Sequence, residues 1–219
     1  MRRAFTFEPC ITRARTDETV LCTWEGVLVG KRRDSIPARI NIMGEHTDYL
    51  GGLALPFASD HRLVLTATQA EQTSGDETVV GLWRAAGGWP ATLKVESTIP
   101  IGAGMSSSAA LCLAIVLCAQ GSQDALAACK EAQRIEHQVL KTPCGLLDQM
   151  AMMMSTEGHA VLLDFATMDH LAFLLPSDWM LKLVDSVLPP PLSETALGAS
   201  TASNVLHHQS HTAQLHLQT

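Results

Sequence analysis

Thr92-Leu-Lys-Val-Glu-Ser-Thr-Ile-Pro-Ile-Gly-Ala-Gly-Met-Ser-Ser-Ser-Ala-Ala110 passes from an alternating pattern, through a glycine turn, to the head of a helix. Leu93, Val95 and Ile99 fall on one side and Lys94, Glu96 and Thr98 on the other, which predicts a half-buried strand. From Ser106 to Gln120, small residues give way to Leu111, Leu113, Ile115, Val116 and Leu117, with no Gly or Pro before Gly121. That run predicts a mostly buried helix. A strand entering a helix through Gly-Ala-Gly and three serines aims unpaired N–H groups and hydroxyls at one spot. Gly102, Ala103, Gly104, Ser106, Ser107 and Ser108 therefore read as an anion-binding loop. An ordinary glycine turn with a serine cap is the plainer reading, but it needs only one serine.

Two well-known nucleotide loops do not fit. A P-loop requires Lys after its last Gly, and Met105 follows Gly104. A Rossmann loop requires a third Gly where Ser107 stands, and its first strand is buried on both faces, whereas 92–99 alternates.

Upstream lies Arg39-Ile-Asn-Ile-Met-Gly-Glu-His-Thr-Asp-Tyr49, with Arg39, Glu45, His46 and Asp48 around a tight turn. Glu45, His46 and Asp48 place three hydrogen-bonding groups within four residues, which suits the several hydroxyls of a sugar. A polar hairpin closed by Gly51-Gly52 is the plainer alternative. Downstream, Cys144-Gly-Leu-Leu-Asp-Gln149 puts Asp148 at a predicted helix start among Leu146, Leu147, Met150 and Met152. A partly desolvated carboxylate suits a proton acceptor; an Asp that merely complements a helix N-terminus is the alternative. Together the three segments read as a phosphoryl-transfer site for a small hydroxylated substrate.

The rest of the chain supplies a scaffold. Strands are predicted at 20–30, 61–68, 160–165 and 180–184, and a polar loop at 69–78. Helices are predicted from Ser122 or Asp124 to about Leu140, and from about Cys144 through Met154. The sum is an α+β fold, a mixed sheet with helices packed on one face. Residues 1–185 form the domain; 186–219, with Pro189-Pro-Pro191 followed by Ser, Thr, Ala, His and Gln, are expected to be an irregular low-complexity tail. His207, His208, His211 and His216 lie in that tail with only Glu194 as a companion donor, too poor a set for a built metal site.

Composition narrows the function classes. With 219 residues, 47% of them hydrophobic, the chain can bury a substantial core. A net charge of -7, with Lys31-Arg32-Arg33 as the only local basic cluster, argues against nucleic acid as a partner. The six cysteines lack zinc spacing and suit a reducing, cytoplasmic compartment. No apolar run reaches the roughly 18 residues of a membrane span, and Glu8 and Pro9 interrupt any secretory segment.

Gly44-Glu-His-Thr-Asp-Tyr49, Pro100 to Ala110, and Glu136-His137 followed by Cys144 to Gln149 occur in the order seen in the GHMP small-molecule kinases, and the chain resembles that family, within it the galactokinases, from about Pro37 to Leu183. The resemblance implies a GHMP-kinase N-terminal lobe and transfer of phosphate from ATP to the C1 hydroxyl of galactose or a related small sugar. It implies Asp148 as the base and Arg39 as the cation beside it. Glu45, His46, Asp48 and the Gly145 backbone correspond to sugar contacts; Gly102 to Ser108 correspond to the triphosphate loop; Ser107 and Glu136 correspond to Mg²⁺ ligands. Three departures accompany the match. Ile36-Pro-Ala38-Arg39 lacks a Gly the family has before its Arg. The aromatic stretch before the second motif, part of the adenine pocket in relatives, is reduced to Gly81-Leu-Trp-Arg-Ala-Ala-Gly-Gly-Trp89. The third glycine-rich motif and the C-terminal domain bearing it have no counterpart, so the apolar surface such a lobe would cover favours self-association. A second expectation therefore stands beside the kinase: an inactive truncated relative that senses sugar or nucleotide, or a non-functional fragment.

Overall fold

Two long strands dominate the architecture. The computed structural model describes residues 30–100 and 103–184, together with the backbone of short strands at 4–7, 15–16, 22–24, 27–29 and 214–218. In chain order the strands are β1 (Ala4–Phe7), β2 (Arg15–Thr16), β3 (Cys22–Trp24), β4 (Val27–Val29), β5 (Lys31–Asn41), β6 (Leu53–Ala54), β7 (Pro56–Gln69), β8 (Ala91–Ser97), β9 (His159–Asp164), β10 (Asp169–Leu174), β11 (Met180–Val184) and β12 (Gln214–Gln218). The helices are α1 (Glu77–Ala85), α2 (Ser107–Gln120), α3 (Ala125–Ile135) and α4 (Leu147–Met154), with a π-helical turn at Glu136–Leu140.

β5 and β7 pair antiparallel at the centre of a four-stranded sheet ordered β2-β5-β7-β8. Ile36, Ala38 and Ile40 recur every second residue along β5 and are buried, the period that fixes which face meets the helices. The register shifts between Pro37, opposite Arg62, and Arg39, opposite Ala58. Pro37 brings no N–H to the ladder, so an irregularity is tolerated there, and bulges bend and twist a strand pair where a side chain must be re-aimed. Arg39 is the residue at which the pairing resumes past that shift. β9 pairs with β10 and with β6 in a second sheet.

α2 lies against β5 and β7 and carries nine buried residues from Ala109 to Cys118. Apolar on every side, it can only be a core helix. Its C-terminus ends at Gly121 with φ 87°, and Arg32 Nη1 donates to the carbonyls of Cys118 (3.0 Å) and Ala119 (3.2 Å), satisfying acceptors the helix leaves open. α3 is capped by Asp124, whose side chain accepts from Ala127 N, and packs on α2 and α4.

The α+β class with helices over the main sheet is as expected, and the named strand ladders are antiparallel. Parallel pairing enters the described residues at the bridge Ser74↔Thr92. The helix expected to run unbroken to Leu140 instead widens into a π turn from Glu136. A helix, α1, occupies the end of the expected 69–78 loop and the first five residues of the Gly81–Trp89 stretch; Asp76 caps it by accepting from Thr78 N and Val79 N. Trp83, fully buried, donates from Nε1 to the Trp89 carbonyl at 2.7 Å. Val95, expected inside, is 36% exposed, because β8 is an edge strand of its sheet. In the expected irregular tail, Gln214–Gln218 forms a strand paired antiparallel with β11. Residues 186–213 and the histidines at 207, 208 and 211 lie outside the described residues.

Candidate active site

The glycine turn delivers the chain from β8 to α2 in left-handed backbone. Gly104 has φ +69° and Ser106, the residue before the helix, has φ 58°. Ser106 makes no side-chain cap bond, so the first N–H groups of α2 keep their capacity for an incoming acceptor. Ala103 and Ser106 to Ser108 are partly accessible around this turn, whereas Gly102 lies outside the described residues.

Arg39 joins this turn to α4. Its Nε donates to Asp148 Oδ1 at 2.6 Å and its Nη1 to the Gly104 carbonyl at 2.9 Å. Asp148 sits in the first turn of α4, where the helix dipole favours an anion. The 44–52 turn reaches the same helix end. Asp48 Oδ2 accepts from Leu147 N at 3.1 Å, supplying the cap that Leu146 cannot provide, and Asp48 Oδ1 accepts from Tyr49 N. Gly145 makes that approach feasible, because a Cβ there would stand 1.7 Å from Asp48 Oδ2. Gly44, with φ +93°, is equally constrained: a Cβ would meet the Leu53 carbonyl at 2.3 Å. Glu45 and His46 project to solvent, and Glu45 Oε1 accepts from Asn41 Nδ2 at 2.8 Å. Arg39, Asp48, Gly145, Asp148 and the Gly104 turn are thus brought together, with Glu45 tethered at the end of β5. Asp48, expected as a sugar contact, spends one lone pair of each oxygen on backbone.

A second carboxylate lies behind the first. Glu136, in the π turn, is 2% exposed, and burial pushes its carboxyl above the usual carboxylate range; a hydrogen bond from Ser108 opposes the shift and the nearby Asp148 charge adds to it. Gln149 Nε2 donates to Glu136 Oε2 at 2.8 Å, and Cys144 Sγ lies 3.6 Å from the same oxygen. Burial and the neighbouring Glu136 push the Cys144 thiol up to about 12, so it stays protonated and can donate. The hydroxyl meeting Glu136 belongs to Ser108, the neighbour of Ser107, which the resemblance makes a Mg²⁺ ligand. Among the described residues, no cluster of three or more His, Cys, Asp or Glu side chains is arranged as a metal site. A buried carboxylate absent from the ion pairs of the described residues, beside a hydroxyl, nevertheless fits Mg²⁺, which takes one or two protein oxygens and fills its shell with water and phosphate. Sequence reasoning missed Asn41 and Gln149. Their signal was weak, since each is an amide inside a motif whose charged neighbours held the attention.

No single helix among the described residues is long and apolar enough to cross a membrane.

Residues 59–156 match the model of the GHMP kinases N terminal domain, and residues 35–69 match the galactokinase galactose-binding signature. The galactokinase of Thermotoga maritima is 31% identical over 189 residues, 73% of this chain and 54% of that protein. The galactokinase of Mycobacterium tuberculosis is 34% identical over 163 residues, 59% of this chain and 45% of that protein. The chain therefore spans about half the length of the curated relatives it matches. The crystal structure of Lactococcus lactis galactokinase complexed with galactose superposes with a TM-score of 0.64 at 22% identity, covering 76% of this chain and 54% of that one. A mevalonate kinase from methicillin-resistant Staphylococcus aureus gives 0.52 at 16% identity, covering 69% and 58%. At such identities the two superpositions establish the fold.

Proposed function

The chain belongs to the GHMP kinase family, and from that premise we propose that it acts as a galactokinase-type enzyme, transferring the γ-phosphoryl group of ATP to the C1 hydroxyl of galactose. The observation that carries the reading is the reach of Arg39, which holds Asp148 with one nitrogen and the carbonyl of the glycine turn with another. A proton acceptor and a phosphate loop are thereby fixed to one cation.

In this reading the sugar lies over the 44–49 turn, against Glu45, His46, Asp48 and the Gly145 backbone. Asp148 takes the proton of the C1 hydroxyl as its oxygen bonds the γ-phosphorus; the bond to the β-γ bridging oxygen breaks and ADP leaves. Arg39 offsets the charge that develops on the transferring group. Ala103, Gly104, Ser106, Ser107 and Ser108 surround the triphosphate with N–H and hydroxyl donors. Glu136 and Ser108 would hold Mg²⁺, which supplies charge neutralisation at the phosphate oxygens when bound. Phosphoryl transfer depends chiefly on such positioning and electrostatics.

The test is galactose-dependent ADP release with Mg-ATP, run beside the Asp148→Asn variant. Turnover that disappears in the variant supports the assignment. Soluble, folded protein that binds galactose without turnover would replace the kinase reading with that of a sugar-binding relative.

A further inference from the structure

We infer that Gln149 is the positioning residue for the metal-binding carboxylate Glu136, so that a single turn of α4 sets both the proton acceptor and the metal site; this rests on the role proposed above for Glu136. Asp148 and Gln149 are consecutive in α4, and neighbours on a helix point about 100° apart around its axis. Asp148 therefore turns outward to Arg39 while Gln149 turns into the core, fully buried, and donates from Nε2 to Glu136 Oε2 at 2.8 Å. Cys144 Sγ approaches the same oxygen at 3.6 Å and lies 3.9 Å from Gln149 Nε2. Both donors lie on Oε2, and Oε1 is left outside those two bonds. The Ser108 hydroxyl meets the same carboxylate from α2.

The arrangement is costly as mere packing. The Gln149 carbonyl oxygen, Oε1, is buried with no hydrogen-bond partner, and Glu136 is held by neutral donors without a counter-charge among the ion pairs of the described residues. An apolar pair of similar volume would fill this part of the core, beside Met150 and Met152, without leaving an unsatisfied oxygen. The amide is explained if the carboxylate must stay ionisable and oriented for a cation, as the donors behind metal ligands commonly do.

The experiment is a Mn²⁺ titration of the whole chain, with and without ADP, followed by electron paramagnetic resonance, beside Gln149→Met and Glu136→Gln. Met nearly preserves the volume of Gln and removes its donor. The expected result for Gln149→Met is Mn²⁺ affinity weaker by about 10- to 100-fold, with galactose affinity measured by calorimetry unchanged and any lost turnover recovered at high Mg²⁺. A purely structural residue would lower stability and would not be rescued by metal. Normal Mn²⁺ affinity in Gln149→Met, with weakened affinity in Glu136→Gln, overturns the inference and leaves Glu136 in place. Normal affinity in both variants, or no Mn²⁺ binding by the unaltered chain, overturns the Glu136 role and the inference together. If Gln149→Met fails to fold, the side-chain amide resonance of Gln149 in the unaltered protein decides: a shift on Mg²⁺ addition supports the coupling, and an unmoved resonance under saturating Mg²⁺ defeats it.

Discussion

Arg39 and Asp148 stand 109 positions apart in the chain and 2.6 Å apart in space, Nε to Oδ1. The pair is sheltered, with side chains 12% and 25% exposed, so less of its attraction is lost to solvent than in an open surface pair. Three sequence motifs meet at that guanidinium: β5 carries it past the register shift, α4 presents the carboxylate, and the Gly104 carbonyl fixes the far nitrogen. A planar fork can serve two acceptors in fixed directions, which a single ammonium cannot do.

Arg39→Lys should therefore behave as a severe change. We expect kcat to fall by about 10²-fold or more, with the KM for galactose little altered, because neither contact of Arg39 is to the 44–49 turn. Steady-state kinetics on the two proteins checks it, and an unchanged kcat would remove Arg39 from the machinery.

Gly145→Ala tests the joint between the sugar turn and α4. The new methyl would stand 1.7 Å from Asp48 Oδ2, so Asp48 must give up Leu147 N. Loss of that cap should cost about 1 kcal/mol of stability, and displacement of the turn should weaken galactose affinity by roughly tenfold, a difference of about 1.4 kcal/mol. Calorimetric binding and a thermal melt read the two effects separately; unchanged affinity would show that the turn and the helix act independently.

Much of the site was legible because its chemistry is compressed into short segments. The change from alternation to an apolar run located β8 and α2, and Asp148 was correctly placed in the first turn of a helix. What stayed hidden depended on helix phase or on distant partners. Three consecutive serines cannot be told apart until α2 is known to begin at Ser107, which turns Ser108 toward Glu136. The π turn at Glu136 depends on hydrogen bonds one residue longer than the α pattern, which side-chain periodicity does not encode. α1 was readable in principle, from Asp76 followed by Val79, Leu82 and Trp83, but Gly81 and the polar run before it obscured the period. The antiparallel sense of the ladders is set by partners far along the chain, such as Leu63↔Ser97.

Asp76→Ala should act on stability alone. The Asp76 side chain satisfies two N–H groups of α1, and α1 carries Trp83 into the core. Loss of an N-cap typically costs about 1 kcal/mol, which for a chain of this size lowers Tm by roughly 2–4 °C. Galactose affinity and kcat should not move; if they do, α1 helps to form the site.

Glu136→Gln should stabilise the metal-free protein at neutral pH. Burial raises the Glu136 carboxyl above its usual range, so the folded state holds that proton more tightly than the unfolded chain does. Stability linked to this group is therefore fully present below the ordinary carboxylate pKa, about 4.3, and is lost as pH rises through the higher folded value. Gln accepts the Gln149 bond without ionising, so the variant should melt above the unaltered protein at pH 7, with the gap closing as pH falls below the ordinary carboxylate range. Added Mg²⁺ should reverse the order, because it binds and stabilises only the protein that keeps the carboxylate. Melts at several pH values, with Mg²⁺ and with chelator, check both halves. Parallel pH profiles for the two proteins would show that burial of Glu136 does not tax the fold, and equal Mg²⁺ stabilisation would place the cation elsewhere.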